Sequence, residues 1–280
     1  MQCLVAGQGE VGTALATVLR DAHDVTVYDP YKYDDTTLPS AIVEVDVLHI
    51  CFPFKNADTF FKDVHHYTRF LRPEAVTVIH SSVPVGTTRS LGGRVVHSPI
   101  HGVHPNLAQG IRTFVKFVGG MDAGAVEMVR QCFAACGVLA TIARDPETSE
   151  LSKLCCTLQY GIGIIANKCI HDLCELHGAD FNEVYTYWNT QYNIGYRFLG
   201  MSHVCRPVLE YHEGAIGGHC VIPNAKLLPG PLSSFLLNMD GLQSQGLIER
   251  LAMGTLTENQ FLKLEIERLT NKLVACGGAP

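Results

Sequence analysis

Gly7-Gln8-Gly9-Glu10-Val11-Gly12 sets three glycines at the intervals that let a backbone cradle a pyrophosphate. Gly7 permits a tight turn, Gly9 lets the main chain approach phosphate oxygens, and Gly12 lets a helix pack close to the strand before it. The amides that open such a helix lack partners of their own and face the anion. Asp29 follows Gly12 at close to the ~20 residues at which a carboxylate reads a ribose 2′-hydroxyl. A carboxylate there repels a 2′-phosphate, so these residues favour NAD over NADP. Cys51-Phe52-Pro53 and Ser81-Ser82 end two further strand-like runs. In a parallel sheet, residues so placed lie along the ligand crevice.

The elements needed to position these residues are legible around them. Gln2–Ala6 reads as a buried strand and Thr13–Arg20 as a helix, which is the setting the glycine motif requires. Val25–Asp29 reads as a second strand, and a third lies within 42–54, centred on Val47–Phe52. Helices are expected at Ala57–Phe70 and Ala123–Cys136. Strands are expected at Val76–Ile79, Arg94–His97, Phe114–Gly120 and Val138–Ala143. Strands alternating with helices over 1–145 define an α/β class, a doubly wound, mostly parallel Rossmann sheet. Thr148 or Ser149 is placed to cap a long helix running to His177, with Leu151, Leu154, Leu158, Ile162, Ile165 and Ile170 at helical intervals. An all-helical second domain is therefore expected over 146–232. Gly161 and Gly163 in that helix suit close helix contact, and a homodimer through this domain is the expectation. Pro223–Pro231, with three prolines, reads as a loop. The tail 233–280 reads as helical. Leu262, Ile266, Leu269 and Leu273 fit either a short coiled-coil seam or a terminal amphipathic helix.

Composition narrows the class. The chain has 280 residues, 47% hydrophobic and 17% charged, enough for full cores rather than disorder. A net charge of −6 without a basic run argues against nucleic acid as a partner. No apolar run nears the ~18 residues of a membrane span, and the first strand starts where a leader would stand, so a cytoplasmic setting is expected. Eleven cysteines in such a setting read as reduced thiols. Cys132/Cys136 and Cys169/Cys174 fall in helical stretches without a matching second pair. They read as core thiols; His101/His104 and His219/Cys220 could in principle hold a metal, but nothing in their spacing demands one, and none is expected.

Three further segments carry a family resemblance. His80–Thr88 (HSSVPVGTT) resembles the S-T-V-P-V-G-T segment of the UDP-glucose/GDP-mannose dehydrogenase family. Glu147–Leu154 (ETSELSKL) resembles its E-T-A-E-L-x-K-L helix start. Ile216–Pro223 (IGGHCVIP) is similar to its G-G-[SH]-C-x-P loop, the histidine variant being typical of the N-acetylmannosamine branch. With the glycine motif, the segments fall in the family's order from Met1 to about Leu228. The 60 residues after Cys220 are too few for the family's third, nucleotide-holding domain, so the chain resembles a short form.

What the resemblance implies is an oxidation of a primary alcohol to an acid through an aldehyde, with Cys220 as the catalytic thiol. The residues suit that chemistry. A thiolate can hold an aldehyde as a thiohemiacetal for a second hydride transfer. Gly217 and Gly218 let the substrate approach, and His219 or Lys153 could favour the thiolate. Lys153 could also stabilise the alkoxide that forms as hydride leaves. Three of the family's polar partners differ: Ile100 stands for its Glu, Thr157 for its Asn and Asn224 for its Asp. His101 or His104 lies near the lost Glu, and histidine suits proton transfer near neutral pH. Two other readings share the same elements. One is a two-electron 3-hydroxyacid or 6-phosphogluconate-type dehydrogenase that uses the helix lysine without a cysteine. The other is a non-catalytic NAD-binding protein. In the first two the partner is a small-molecule substrate.

Overall fold

The computed structural model describes residues 1–30, 32, 40–103, 105–243 and 257–275. His104 and the end of the tail lie outside this set. The chain divides into two compact units, Met1–Cys155 and Cys156–Pro280.

The first unit is built on a seven-stranded sheet. Its strands are β1 (Gln2–Ala6), β2 (Asp24–Tyr28), β3 (Val47–Ile50), β4 (Val76–Ile79), β5 (Val95–His97), β6 (Lys116–Gly120) and β7 (Ala140–Ile142). Their order is β2-β1-β3-β4-β5-β6-β7, and all neighbours are parallel except β5 and β6. The order reverses at β1, which has β2 on one side and β3 on the other, so a crevice opens at the carboxyl end of β1.

Alternation along the strands supplies both faces of the sheet. Cys3, Val5, Val47, Val76, Val78 and Val96 join one core with α1 (Glu10–Leu19), α4 (Leu107–Thr113) and α5 (Ala123–Ala135). Leu4, Ala6, Leu48, Ile50 and Ile79 join the other with α2 (Ala57–Thr68). Strands covered on both faces read as continuous apolar runs, which is why β1, β3 and β4 were legible.

The long helix α6 spans Pro146–His177. It starts earlier than expected, and the cap is neither Thr148 nor Ser149. Asp145 Oδ1 accepts from the Thr148 amide at 2.7 Å, with Pro146 at the first helical position, where a missing N–H costs nothing. Gly119 of β6 makes room for this start: a Cβ there would lie 2.6 Å from Asp145 O. The opening turns of α6 belong to the first unit, which extends past the expected limit of 145. Glu150 is fully buried and accepts from the amides of Gly86 (2.6 Å) and Thr88 (2.8 Å), so it closes the start of the short helix α3 (Thr87–Leu91).

The described residues of the second unit are helical or irregular, without a strand. A π-helical turn (Asn182–Tyr187) leads into α7 (Trp188–Phe198), followed by α8 (Val221–Leu227), α9 (Pro231–Gln243) and α10 (Glu258–Ala275). Leu158, Ile165, Ile216, Val221, Ala225 and Leu236 form its core. Ser233 and Leu236 of α9 are buried, so the stretch after 232 contributes to that core. Gly161 is explained within the chain: a Cβ would meet Leu236 at 2.4 Å and Val221 at 2.5 Å.

The expected loop at Pro223–Pro231 is instead two helices and a short joint. Pro223 sits in the first turn of α8, Pro229 follows its end and Pro231 opens α9. Each proline occupies a position where no helical hydrogen bond is lost. On α10, Leu262, Ile266 and Leu269 are exposed.

Candidate functional site

The glycine turn in the first unit has the geometry its spacing demands. Gly7 adopts φ +100°, and its amide donates to Tyr28 O at 2.8 Å, tying the turn to the end of β2. A Cβ on Gly12 would lie 1.9 Å from Gly7 O, so only glycine allows α1 to pack against the turn. Gly9 faces open space, with nothing within 4 Å of a Cβ. It is also the N-cap of α1, and no side chain caps that helix start from this position. Val11 packs its side chain against the core, whereas Glu10 is exposed in the first turn.

Asp29 is buried just beyond β2, and its Oδ2 accepts from the Gln8 amide at 2.7 Å. The carboxylate and the glycine turn are therefore one rigid piece. Lys32 Nζ donates to Gln8 O.

Beside the turn lies a cleft of about 390 Å³. Gly7, Gly9 and Asp29 line one wall, and Cys51, Phe52 and Pro53 line another, as the strand-end rule predicts. Burial pushes the Cys51 thiol up to about 12, so it is a neutral lining group. The third wall is α2, with Thr59, Phe60, Asp63, His66 and Tyr67, together with Lys55 just before it. None of these residues stands out as a site residue in the sequence. Their signal was present: Phe60, Val64 and Tyr67 recur at helical intervals, and the next face of α2 must border the crevice. The glycine turn at a helix start, the open Gly9 and the anchored carboxylate fit a dinucleotide.

A file of hydrogen bonds runs along the carboxyl ends of the strands from this cleft to α6. Ser81 Oγ donates to Phe52 O at 2.5 Å, and His97 Nε2 lies 3.3 Å from Ser81 O. His97 Nδ1 lies 2.8 Å from Ser149 Oγ. Burial drives His97 down to about 3, so the ring is neutral. Nε2 then donates to the carbonyl, and Nδ1 accepts from the serine hydroxyl. Ser81 thus serves as a brace, and Ser82 follows it half-buried.

Lys153 lies one turn beyond Ser149, and its Nζ donates to Ile100 O at 2.9 Å. His101 follows Ile100, with its ring beside Phe114 and Phe117. Burial, then the charges of Lys153 and Lys116, holds His101 down at about 4. A group held that low is neutral at pH 7 but a weak proton acceptor there.

The second unit holds the remaining candidates. Cys220 is exposed at the N-cap of α8, and Gly218 before it takes φ +81°. Cys220 O accepts from the Asn224 amide at 3.1 Å, and His219 is exposed beside it. Asn224 Nδ2 donates to Thr157 Oγ1 at 3.1 Å, and both residues are buried. Two of the three changed partner positions therefore form one neutral hydrogen-bonded pair.

The fold is that of Rossmann-like dehydrogenases. No family model matches the chain, and no curated protein matches it by sequence. Solved structures do match. The UDP-D-ManNAc dehydrogenase of Pyrococcus horikoshii aligns with a TM-score of 0.71 at 16% identity, over 87% of this chain and 69% of its own. The 3-hydroxyisobutyrate dehydrogenase of Mycobacterium tuberculosis, solved with L-serine, aligns with a TM-score of 0.64 at 16% identity, over 91% and 98%. The GDP-mannose dehydrogenase of Pseudomonas aeruginosa aligns with a TM-score of 0.61 at 16% identity, over 93% and 69%.

Proposed function

We propose that the chain is an NAD-dependent oxidoreductase that oxidises a primary alcohol by hydride transfer, like the nucleotide-sugar dehydrogenases it resembles. The observation that carries this reading is the file Phe52–Ser81–His97–Ser149, which ties the dinucleotide cleft to the turn of α6 bearing Lys153. When bound, the dinucleotide supplies the hydride acceptor. Asp29 favours the form with a free ribose hydroxyl. Lys153, held by Ile100 O, stabilises the alkoxide as the alcohol loses its proton. Cys220 is the nucleophile for an aldehyde: the thiolate adds to the carbonyl carbon, the thiohemiacetal gives up a second hydride to become a thioester, and water hydrolyses that thioester to the acid and the free thiol.

On this reading one substrate yields two NADH. Cys220→Ser should stop after the first, because alcohol oxidation needs no covalent intermediate, whereas Lys153→Ala should slow both. The measurement is NADH counted per substrate, over a panel of nucleotide sugars and hydroxy acids. One NADH from both wild type and Cys220→Ser would favour a second reading, a two-electron 3-hydroxyacid dehydrogenase. The 98% coverage of the M. tuberculosis enzyme supports that alternative. A homodimer belongs to the proposal: α7 exposes Trp188, Ile194 and Phe198, a face too apolar to leave in water. A monomer at micromolar concentration in light scattering would remove it.

A further inference from the structure

Beneath the sheet, on the face covered by α5, three donor groups converge. Cys3 of β1, His49 of β3 and Cys132 of α5 are all buried, and their donor atoms lie within 4.8 Å of one another. By spacing alone Cys132 pairs with Cys136 as a core thiol. In the fold its neighbours are Cys3 and His49. Register explains the meeting. Cys3 pairs with Val47, two residues before His49, so alternation turns both side chains to the α5 face.

The protons on the histidines give the cluster a direction. His80 Nδ1 lies 2.6 Å from Ser98 O, and a carbonyl can only accept, so that nitrogen carries the hydrogen. His80 Nε2 is then unprotonated and accepts from His49 Nδ1 at 2.9 Å. That leaves the lone pair of His49 on Nε2. This nitrogen is fully buried and has no hydrogen-bond partner among the described residues. A basic nitrogen without a partner, oriented through a second histidine onto a backbone carbonyl, is the arrangement that fixes histidine ligands at metal centres.

We propose that Cys3, His49 and Cys132 form a binding site for a thiophilic closed-shell cation, zinc(II) or copper(I), in the core of the first unit. Thiolate and imidazole together select such ions over hard ones. Two thiolates neutralise a divalent ion, and one neutralises a monovalent ion, so a buried charge need not remain. Binding releases the thiol protons to solvent and changes no oxidation state. The site stands apart from the cleft, and the proposed oxidation does not depend on it.

The test uses the full chain, expressed with added zinc or, separately, with added copper under reducing conditions. After dialysis against a chelator, elemental analysis should find about one equivalent of one of these metals per chain. Cys3→Ala and Cys132→Ala should fall to background, while Cys136→Ala and Cys220→Ala keep the metal. Wild type incubated with one equivalent of cadmium(II) should keep, after dialysis against the chelator, a thiolate-to-metal charge-transfer absorption that the exposed Cys155, Cys156 and Cys220 would not retain, a readout that does not depend on how the variants fold. No metal in either preparation together with no charge-transfer absorption would overturn the proposal. So would a Cys3–Cys132 disulfide in protein isolated without air, or full occupancy in the double variant Cys3→Ala/Cys132→Ala.

Discussion

The glycine turn of the first unit and the cysteine turn of the second are built on opposite principles. Around Gly7–Gly12 the main chain does the work. Positive φ at Gly7, the absent Cβ at Gly12 and the open Gly9 at the N-cap of α1 shape the cleft, and Asp29 is fastened to the Gln8 amide. Around Cys220 the proposed chemistry falls to a side chain, an exposed thiol at the N-cap of the helix that also carries Asn224, the partner of Thr157. A site made of backbone is sensitive to added atoms and tolerant of changed chemistry. A site made of one side chain is the reverse.

The strongest way to break this contrast is Gly12→Ala. With its Cβ 1.9 Å from Gly7 O, the turn cannot close, and NADH affinity should fall more than ~100-fold, about 2.7 kcal/mol. The same change at Gly217, where nothing lies within 4 Å of a Cβ, should leave NADH affinity and Tm unchanged. Calorimetric titration of both variants decides the matter. Binding by Gly12→Ala within threefold of wild type would show that the cleft is not backbone-built.

A second prediction concerns acid. His97 titrates at about 3 in the fold because it is buried, against an unfolded value of 6.5. The neutral ring is the form the fold accepts. Its stability contribution is therefore complete above pH 6.5 and is lost as pH falls towards 3. Linkage puts that loss at about 2 kcal/mol by roughly pH 5. His97→Gln should remove it, read as a smaller shift in the urea midpoint between about pH 8 and 5. An unchanged shift would mean that the file from Ser81 to Ser149 does not hold a neutral ring.

The smallest effect expected is at Asp29. Asp29→Asn keeps an acceptor for the Gln8 amide but loses the charge. NADH affinity should drop about tenfold, and the preference over NADPH should shrink by at least as much. Equal binding of NADH and NADPH by wild type would take cofactor choice away from this residue.

How much of this was legible in the sequence differs between the two units for a physical reason. The strands β1, β3 and β4 and the glycine turn are dictated locally, by apolar runs and by residues that alone permit the backbone conformation. The wall that α2 gives to the cleft is long-range. Nothing near Asp63 or His66 says which strand end they will face. Prolines misled in the second unit, because Pro223, Pro229 and Pro231 punctuate helices as readily as loops. The clearest missed signal was His49, a polar residue at an inward position of a strand that is otherwise entirely apolar, and so a buried group in need of a partner.

Glu150 bears on the order in which the chain is completed. The amides it accepts from, at Gly86 and Thr88, precede it by 64 and 62 residues. During synthesis every strand of the sheet has emerged before the carboxylate that closes the start of α3. Until then those two amides exchange freely with solvent, however well the strands have paired. A chain stopped at Arg144 would carry the whole sheet and still leave this turn unpinned. The first unit is thus finished by its last few residues reaching back to its middle.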